Sequence, residues 1–530
     1  MMKESRTIIV SNRLPVKITL QEGEILSQGS EGGLATGLSS IYGKDNTIWI
    51  GWPGVSTGAE EFRRIEAHLE KQRLAPVPLS TKEVRDFYEG FSNETLWPLF
   101  HYFPDYACFK ADQWEVYKMV NLRFAEKIVS LAAPGDKIWI HDYHLLLVPD
   151  MVRERLPGAS IGFFQHIPFP NFEMFRFLPW RNELMKGLLG ADIIGFHTQM
   201  DVDHFIEVTQ QLTDTGFLDA SVLSNEILVE DRTITVEAFP MGIDYEKYRS
   251  LSCMPIVKKV RDRILDFCGS RKLMVSVDRL DYSKGILHRL KAYDRFLEQH
   301  PEFHEKVIFI QLIVPSRDQV SQYHKLKEEV NQLVSDINTR YGGFDWEPIR
   351  YWYRSLDPEM LSGLYAAADV ALVTPLRDGM NLVSKEYIAS KTESPGVLVL
   401  SELAGAAQEL TQALIINPHN EQELADAIFE GLIMPVREQL RRLGAMQRSL
   451  SRHTVQRWAA GFLDALDRNK TEQHAFNEYF FSREMEEHML QQFISRDDVA
   501  SIMDHLQPEA NTPPPPIVRG IPIRSPKRVS

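Results

Sequence analysis

Short apolar runs rich in β-branched residues alternate with longer amphipathic segments along most of this 530-residue chain. Continuous apolar runs are typical of strands buried on both faces, as in a parallel sheet covered by helices. The alternation therefore predicts an α/β fold with doubly wound domains. The predicted strands are Thr7–Val10, Thr47–Ile50, Lys137–Ile140, Ile161–Phe164, Ile193–Phe196, Leu273–Val277, Val307–Val314, Val370–Val373, Val397–Leu400 and Ala413–Ile416.

The length of the chain and one segment that contains proline and glycine predict its division into domains. A chain of 530 residues is too long for one ordinary hydrophobic core. A strand is predicted to end at Phe239–Gly242, so we predict two α/β domains, 1–245 and 246–455, with a ligand-binding cleft between them. Helices are predicted over 456–506, the first of them crossing back to the N-terminal domain. The proline-rich, basic stretch 507–530 is predicted to be a disordered tail, which we favour over a docking motif.

The composition narrows the class of protein. A formal net charge of −14, with 44% hydrophobic and 25% charged residues, indicates a globular protein and argues against nucleic acid as its main partner. Cys108, Cys253 and Cys268 form no CxxC pair, and such sparse cysteines suit a reducing cytosol. No apolar run approaches the roughly 20 residues that span a bilayer. We expect a cytoplasmic enzyme with small-molecule partners, no nucleic acid and no membrane contact, while a homo-oligomer stays open.

A charged turn with a glycine follows one predicted strand in the C-terminal half. In open α/β sheets, ligands bind at the carboxyl ends of the strands. Backbone N–H groups at the end of this turn are predicted to open the next helix and to face an anion such as a diphosphate. Glu386 on that helix is a candidate for a ribose hydroxyl, and a solvated glutamate is the alternative. The turn consists of Arg377, Asp378, Gly379, Met380, Asn381, Leu382 and Val383.

A second charged turn, Asp278–Gly285, follows the predicted strand Leu273–Val277. Its two cations, Arg279 and Lys284, suggest a phosphate clamp. A surface ion pair with a neighbouring aspartate explains them about as well when this turn is taken alone. Considered together, the two turns predict a nucleotide-sugar site.

Polar residues also follow predicted strands in the N-terminal half. Arg13 can grip a phosphate with two N–H groups. The pair Gly32-Gly33 can bring backbone close to a ligand, although a plain turn is the commoner role of two glycines. Asp142 can hydrogen-bond sugar hydroxyls or handle a proton. His141 and His144 belong to no metal-binding pattern, so we predict structural histidines and no metal site.

One further histidine and three aromatic residues complete the candidates. His166 precedes Pro168 and Pro170, which fix a rigid loop, and a site role is as well supported as simple packing. Aromatic faces stack on sugar rings, but core packing is favoured for these rings from spacing alone. The aromatic residues are Trp52, Tyr88 and Trp97.

Ten short sequence motifs of the chain resemble, in the same order, those of the trehalose-6-phosphate synthases, which are retaining enzymes of glycosyltransferase family 20. They extend over roughly residues 7–465. The resemblance implies the GT-B architecture, in which two Rossmann-like doubly wound domains face each other across a cleft. The motifs are SNRLPV, GGLATGL, WIGWPG, FYEGFSNETLWPLFHY, WIHDYHLLLVP, GFFQHIPFP, GLLGADIIGFHT, DRLDYSKGI, RDGMNLVSKEY and SELAGAA.

The resemblance also implies roles for the matching residues. The N-terminal domain would bind the acceptor and the C-terminal domain the nucleotide sugar. Acceptor-binding roles are implied for Arg13, Trp52, Tyr88, Trp97, Asp142 and Arg317. Donor-binding roles are implied for Gly33, His166, Arg279, Lys284, Asp378, Gly379, Met380, Asn381, Leu382, Val383 and Glu386. Catalytic roles are implied for Asp142, His166, Arg279, Lys284 and Asp378.

The implied reaction moves glucose from UDP-glucose to glucose 6-phosphate, giving trehalose 6-phosphate and UDP. Fixed positive groups at the departing diphosphate would let it proceed without a metal or another cofactor. Two alternatives stay open: a related transferase with another acceptor, such as glycerol 3-phosphate or a pseudo-sugar, and a non-catalytic subunit that binds sugar phosphates. Glu31 departs from the family pattern, which often has a small residue at this position, and an anion near the diphosphate would be unhelpful unless it points away. The chain has no DxDGT motif, so no phosphatase activity is expected.

Overall fold

Two large β-sheets are built in turn, one by each half of the chain. The computed structural model describes residues 5–21, 24–29, 38, 46–316 and 321–473. All ten runs predicted to be strands are strands of these sheets. Their apolar residues are buried on both faces, as a parallel sheet covered by helices requires. We call the part around the first sheet the N-terminal lobe and the part around the second sheet the C-terminal lobe.

The first sheet has nine strands in the order β5-β4-β1-β6-β7-β8-β11-β10-β9. Its strands from β5 to β11 in that order are parallel, and a β-meander of β9, β10 and β11 closes one edge. A separate hairpin, β2–β3, follows the first strand. The strands are β1 Thr7–Arg13, β2 Val16–Gln21, β3 Glu24–Gly29, β4 Thr47–Trp52, β5 Leu74–Pro76, β6 Lys137–His141, β7 Ser160–Phe164, β8 Ile193–Phe196, β9 Ser221–Leu223, β10 Glu226–Val229 and β11 Arg232–Ala238.

The second sheet has six parallel strands in the order β14-β13-β12-β15-β16-β17. The edge strand β14 was missed from the sequence, because Arg350 and three aromatic residues leave it only half-buried and break the apolar run. The strands are β12 Lys272–Arg279, β13 Val307–Val314, β14 Ile349–Tyr353, β15 Val370–Val373, β16 Val397–Ser401 and β17 Leu414–Ile416.

Helices cover the sheets. In the N-terminal lobe the α-helices are Ala59–Glu70, Thr81–Glu83, Trp97–Phe100, Ala111–Leu131, Val148–Arg153, Phe172–Phe175, Arg181–Leu188 and Gln199–Asp214, and a π-helical segment spans Val84–Leu96. In the C-terminal lobe they are Tyr245–Ser252, Pro255–Cys268, Ile286–Gln299, Ser321–Tyr341, Pro358–Ala367, Leu382–Ser390, Glu421–Ile433 and Val436–Arg452. Short 3₁₀ turns occur at Pro104–Tyr106, Tyr143–Leu145, Tyr282–Lys284, Pro301–Phe303 and Gly405–Gln408. In the described part of the chain, no helix is long and apolar enough to cross a bilayer.

The chain passes between the lobes twice, and the two passages lie side by side. Ile243 and Thr454 form an isolated parallel bridge, and the backbone N–H of Val455 donates to the Ile243 carbonyl at 3.1 Å. A Cβ on Gly242 would collide with the His453 carbonyl oxygen, so this close approach requires glycine.

A last helix, residues 455–473, returns to the N-terminal lobe. The ring of Phe462 stacks on that of Trp139, with centroids 4.7 Å apart. The ring of Trp458 lies 5.1 Å from Trp139 and 5.0 Å from Phe164. These aromatic contacts pack the end of the described chain against strands β6 and β7, although it follows the C-terminal lobe in sequence. Described residues up to Thr471 belong to one compact unit.

Candidate active site

The carboxyl edges of the two sheets meet at one cleft. Arg279 ends β12, and its guanidinium lies over the ring of Trp97 from the N-terminal lobe, 5.5 Å from the centroid. Arg377, in the turn after β15, lies in the same way over Tyr102 at 4.2 Å. These contacts across the cleft bring the predicted donor and acceptor residues together, as expected for ligands at the carboxyl ends of parallel strands.

Arg13 and Trp52 lie beside each other at the ends of β1 and β4. The Arg13 side chain is exposed, and its guanidinium stands 5.3 Å from the centre of the Trp52 ring. A Cβ on Gly54 would lie 2.6 Å from Nη2 of Arg13, and Gly54 has a φ of +84°. The absence of a side chain on Gly54 makes room for the guanidinium of Arg13 beside Trp52.

The other two predicted aromatic residues extend the same wall. Tyr88, on the π-helical segment, stacks on His144 with ring centroids 5.7 Å apart. Trp97 directly follows that segment and is 4% exposed. Core packing, the interpretation favoured from spacing alone, holds for these rings, since Trp52 and Trp97 belong to the core and Tyr88 packs against it. One side of the Trp97 ring still faces Arg279.

Asp142 follows β6 with a backbone φ of +74°, which is uncommon for a residue other than glycine. Its Oδ1 accepts a hydrogen bond from the backbone N–H of His166 at 3.2 Å. The backbone of Asp142 is held in turn by its own N–H, which donates to the Phe164 carbonyl at 2.8 Å. Strained backbone of this kind persists where the surroundings over-determine it, and it is enriched at active sites.

Three histidines form a row at the ends of three neighbouring strands. Nδ1 of His141 lies 3.0 Å from Nε2 of His166, and the rings of His166 and His197 are 5.4 Å apart. Burial lowers the pKa of His141 and His166 well below the usual range and that of His197 to about 3. All three rings are therefore neutral at pH 7.

His141 and His144, which we predicted to be structural histidines, do not converge on a common site. His141 faces His166, whereas His144 packs between Tyr88 and Tyr143. Among the described residues, no group of three or more His, Cys, Asp or Glu side chains is arranged to hold a metal ion.

Lys284 and Asp378 join the two charged turns of the C-terminal lobe. Nζ of Lys284 donates to Oδ2 of Asp378 at 2.7 Å, and Nδ2 of Asn381 donates to the same oxygen at 3.0 Å. Burial alone would raise the pKa of Asp378, but the charge and hydrogen bond of Lys284, helped by Asn381, bring it below the usual range. The carboxylate is thus ionised and held in one orientation at the cleft.

The surface ion pair considered for Arg279 and Lys284 does not form with the neighbouring aspartates. Asp278 is buried and pairs with Arg289, Nη2 to Oδ2 at 2.5 Å. Asp281 accepts from the backbone N–H of Ser283 at 2.9 Å. Both carboxylates therefore stabilise the turn and leave the two cations directed to the cleft and to Asp378.

The second turn opens a helix as expected. Asn381 is the N-cap of the helix Leu382–Ser390, with a left-handed backbone (φ +69°) and Oδ1 accepting from the Ser384 N–H at 3.1 Å. The first N–H groups of this helix, those of Leu382 and Val383, have no partner within it and are available to an anion. Met380 is buried, and its carbonyl accepts from the Ala406 N–H at 2.8 Å, which fixes the turn.

Gly379 is the point where this turn touches the N-terminal lobe. A Cβ there would collide with the carbonyl oxygen of His166 and would lie 3.2 Å from Cδ2 of His197. The absent side chain lets the turn approach the row of histidines.

Glu386 is half-buried and hydrogen-bonded to the protein, unlike a freely solvated glutamate on a helix face. Its Oε1 accepts from the hydroxyl of Tyr248 at 2.9 Å. Burial raises the pKa of Glu386, which this hydrogen bond opposes. The remaining acceptor capacity of the carboxylate suits a ligand hydroxyl.

Several residues of the cleft were missed from the sequence. His101 stacks on Trp97 with centroids 4.1 Å apart, and its Nδ1 donates to the Trp97 carbonyl at 2.8 Å. Burial lowers the pKa of His101 to about 4, while Asp281 and Lys284 act on it electrostatically. Tyr282, two residues before Lys284, contacts the N-terminal lobe with its ring 4.9 Å from that of Phe103. His101 lies inside one of the ten motifs, and that position was the only feature of the sequence that pointed to it.

Two predicted site residues, Gly33 and Arg317, lie outside the described residues, as do Glu31 and Gly32. The same holds for the predicted helices beyond Gln473 and for the predicted tail.

Two doubly wound lobes whose strand ends meet at a cleft lined with cations, aromatic rings and fixed carboxylates define a glycosyltransferase of the GT-B class. The model of glycosyltransferase family 20 matches residues 5–468. The chain therefore belongs to glycosyltransferase family 20, as its ten motifs predicted.

Curated relatives agree with this family. The chain is 45% identical over 472 residues to a bifunctional trehalose-6-phosphate synthase/phosphatase of Thermoproteus tenax, covering 87% of this chain and 63% of that relative. It thus spans less than two thirds of that protein. It is 40% identical over 481 residues to a UDP-forming α,α-trehalose-phosphate synthase of Pichia angusta, covering 88% of this chain and 100% of that relative.

Solved structures confirm the predicted GT-B architecture. A UDP-forming α,α-trehalose-phosphate synthase of Burkholderia xenovorans, in complex with glucose 6-phosphate, matches with a TM-score of 0.78 and 34% identity over 87% of this chain and 100% of that chain. An E. coli structure, described as trehalose-6-phosphate bound with UDP-2-fluoro glucose, matches with a TM-score of 0.79 and 34% identity over 87% of this chain and 99% of that chain.

Proposed function

We propose that this chain transfers glucose from UDP-glucose to glucose 6-phosphate and releases trehalose 6-phosphate and UDP. The observation that carries the proposal is the pairing of Lys284 with Asp378 at the ends of two neighbouring strands, while Arg279 faces Trp97 across the cleft. The relatives support it as well, since the Burkholderia structure contains glucose 6-phosphate and the E. coli structure a fluorinated UDP-glucose.

The donor would lie against the C-terminal lobe. Negative charge grows on the diphosphate as the bond to glucose breaks, and preorganised cations stabilise such charge most effectively in a site that excludes water. Arg279, Lys284 and the N–H groups of Leu382 and Val383 supply that positive environment, so we propose that no metal ion is required. Glu386 would accept a hydrogen bond from a ribose hydroxyl.

The donor glucose would lie where the lobes touch. Asp378 and the ring of His166 would hydrogen-bond its hydroxyls, and the turn Gly379–Asn381 would lie beneath the sugar and its diphosphate. Gly33, from the N-terminal lobe, would face the same ligand. The close approach of the Gly379 turn to His166 supports this placement.

The acceptor would lie against the N-terminal lobe. Arg13, Tyr88, Trp97 and Arg317 would hold the phosphate of glucose 6-phosphate, and Asp142 with Trp52 would contact its sugar ring. The exposed Arg13 guanidinium beside Trp52 supports the phosphate assignment, since a guanidinium matches the geometry of phosphate oxygens.

We propose that the acceptor attacks the same face of the glucose from which UDP departs. A double displacement would need a carboxylate beneath the anomeric carbon. Asp142 and Asp378 are the two acidic residues of the proposed site next to the sugars, and the first is bonded to the His166 backbone while the second is paired with Lys284. Closing the lobes over both substrates would orient them and exclude water.

A donor-by-acceptor matrix tests this function on the purified full chain. UDP-, GDP- and ADP-glucose are combined with glucose 6-phosphate, glycerol 3-phosphate or glucose, and nucleotide release is measured with mass spectrometry of the product. We expect turnover with UDP-glucose and glucose 6-phosphate, with trehalose 6-phosphate as the product. Nucleotide release that does not depend on glucose 6-phosphate, or a product built on another acceptor, contradicts the proposal.

A further inference from the structure

We propose that His141 is a positioning residue that holds His166 in the tautomer with its proton on Nδ1, so that His166 presents an N–H donor to the cleft. The inference rests on the proposed function, in which His166 binds the donor glucose. It adds His141, a residue that would not touch the substrate. It also assigns the direction of the hydrogen bond between His166 and the donor glucose, with His166 as the donor.

The two rings form a hydrogen bond between neighbouring strands. His141 is the last residue of β6 and is fully buried, and His166 follows β7. Nδ1 of His141 lies 3.0 Å from Nε2 of His166, and the ring centroids are 5.3 Å apart. Burial lowers the pKa of both imidazoles, so each carries one proton at pH 7. One ring therefore donates to the other, and two arrangements satisfy the distance.

The far nitrogen of His141 distinguishes the two arrangements. Its Nε2 is buried and has no hydrogen-bond partner among the described residues. If His166 were the donor, the proton of His141 would sit on this Nε2 as a buried N–H without an acceptor. Orphaned buried N–H groups are rare because their desolvation is not compensated.

The surroundings of this nitrogen also favour an acceptor. The indole ring of Trp139 lies 4.6 Å from the His141 ring and that of Trp458 lies 6.5 Å from it. In the described part of the chain, both indole N–H groups are buried without partners. An indole can only donate, so a bare Nε2 on His141 suits these neighbours and a third N–H does not. His141 therefore carries its proton on Nδ1 and donates to His166.

The remaining nitrogen of His166 then has a defined role. Since Nε2 accepts from His141, the proton of His166 sits on Nδ1. The ring is only partly buried, and its backbone N–H is anchored by Asp142 at 3.2 Å. His166 thus donates to a lone pair of a sugar oxygen, whereas the opposite tautomer would require a hydroxyl proton from the sugar. A series of hydrogen bonds would thus connect the sugar oxygen to His166 and His166 to His141 in the core.

Nitrogen-15 NMR of the full chain with labelled histidines reads the tautomer directly in the unliganded protein. The His166 signals are assigned by their loss in His166→Gln. We expect a protonated Nδ1 and an unprotonated Nε2 on His166. A protonated Nε2 on His166 in the wild type overturns the proposal.

Two substitutions at His141 test its influence. His141→Asn keeps an amide N–H near the position of Nδ1, whereas His141→Leu keeps volume and removes the donor. We expect His141→Leu to shift protons to Nε2 of His166 and to lower kcat by about tenfold, with a smaller change in KM for UDP-glucose. We expect His141→Asn to retain the wild-type tautomer and most of kcat.

The control is His304→Asn, the same change at a histidine whose Nε2 bonds the Leu297 carbonyl at 2.9 Å. It should alter neither the His166 signals nor kcat. An unchanged tautomer and kcat in His141→Leu refute the positioning role; if that variant does not fold, the wild-type spectrum and His141→Asn decide. Failure of the proposed function would show as absent turnover in the wild type, which leaves the tautomer measurement untouched.

Discussion

Lys284 and Asp378 form an ion pair with Nζ 2.7 Å from Oδ2, although 94 residues separate them in the chain. Both side chains are largely buried, at 9% and 15% exposure. The pair fixes the two charged turns against each other at the edge where β12 and β15 end. In the proposed reaction, Lys284 would share its charge between Asp378 and the diphosphate of the donor.

Removing the cation should reduce activity and stability together. We expect Lys284→Met to lower kcat/KM for UDP-glucose by at least about tenfold, because charge-assisted contacts are lost. It should also lower the thermal unfolding midpoint, because an unpaired carboxylate is left buried. Steady-state kinetics and calorimetry measure the two effects.

The double variant Lys284→Met/Asp378→Asn separates these effects. It should regain part of the unfolding midpoint without regaining activity. Lys272→Met is the control, since Lys272 forms an exposed ion pair with Asp369 at the opposite end of β12. Wild-type kcat/KM in Lys284→Met would remove the lysine from the proposed diphosphate site.

Glu386 should control recognition of the ribose. The wild type is expected to prefer UDP-glucose over the donor that lacks the ribose 2′-hydroxyl by about tenfold, because a hydrogen bond to a charged group is lost. Glu386→Gln should reduce this preference, and Tyr248→Phe, which removes the hydrogen bond orienting Glu386, should reduce it less. The ratio of kcat/KM values for the two donors is the measurement. An equal preference in the wild type and Glu386→Gln would show that the carboxylate does not contact the ribose.

A side chain on Gly379 should separate the Gly379 turn from His166. We expect Gly379→Ala to lower kcat by at least about tenfold, because misplacing reacting groups by ångströms is costly. Gly444→Ala is the matched control, since the new Cβ would meet only the flexible end of Arg448 at 3.4 Å, within the helix Val436–Arg452. That control should keep its activity and gain slightly in unfolding midpoint. Full activity in Gly379→Ala would show that the close approach is not needed.

Lys391 should make stability rise with pH. Its Nζ donates to the carbonyls of Ala366 at 3.0 Å and Ala368 at 2.7 Å, and burial lowers its pKa to about 7. An unfolded lysine has a pKa of about 10.4. Between these values the unfolded chain binds more protons than the native protein, so stability increases with pH by up to about 1.4 kcal/mol per unit from this group.

The measurement compares thermal midpoints of the wild type and Lys391→Met at pH 7 and pH 9. The difference, wild type minus variant, should increase over this interval. Lys306→Met, at an exposed lysine, should show no such trend. A constant difference would mean that Lys391 stays charged throughout.

The local pattern of the chain was enough to find the main strands and the strand ends that meet at the cleft. A short apolar run rich in β-branched residues, such as Val307–Val314, favours a strand inside a covered sheet. Polar residues directly after such runs, among them Arg279 and Asp142, then lie at the functional edge by the geometry of parallel strands. The edge strand β14 escaped this reasoning because Arg350 interrupts its apolar pattern.

Partnerships between distant residues came from the folded chain alone. The order of strands places β12 beside β15 and β6 beside β7, and this decides that Lys284 meets Asp378 and that His141 meets His166. Sequence spacing carries no information on such pairs, because strand order is settled by how the helices and both lobes pack together. The periodicity of the chain thus indicates which residues reach the cleft, whereas long-range packing selects the neighbour of each one and, through burial, its charge.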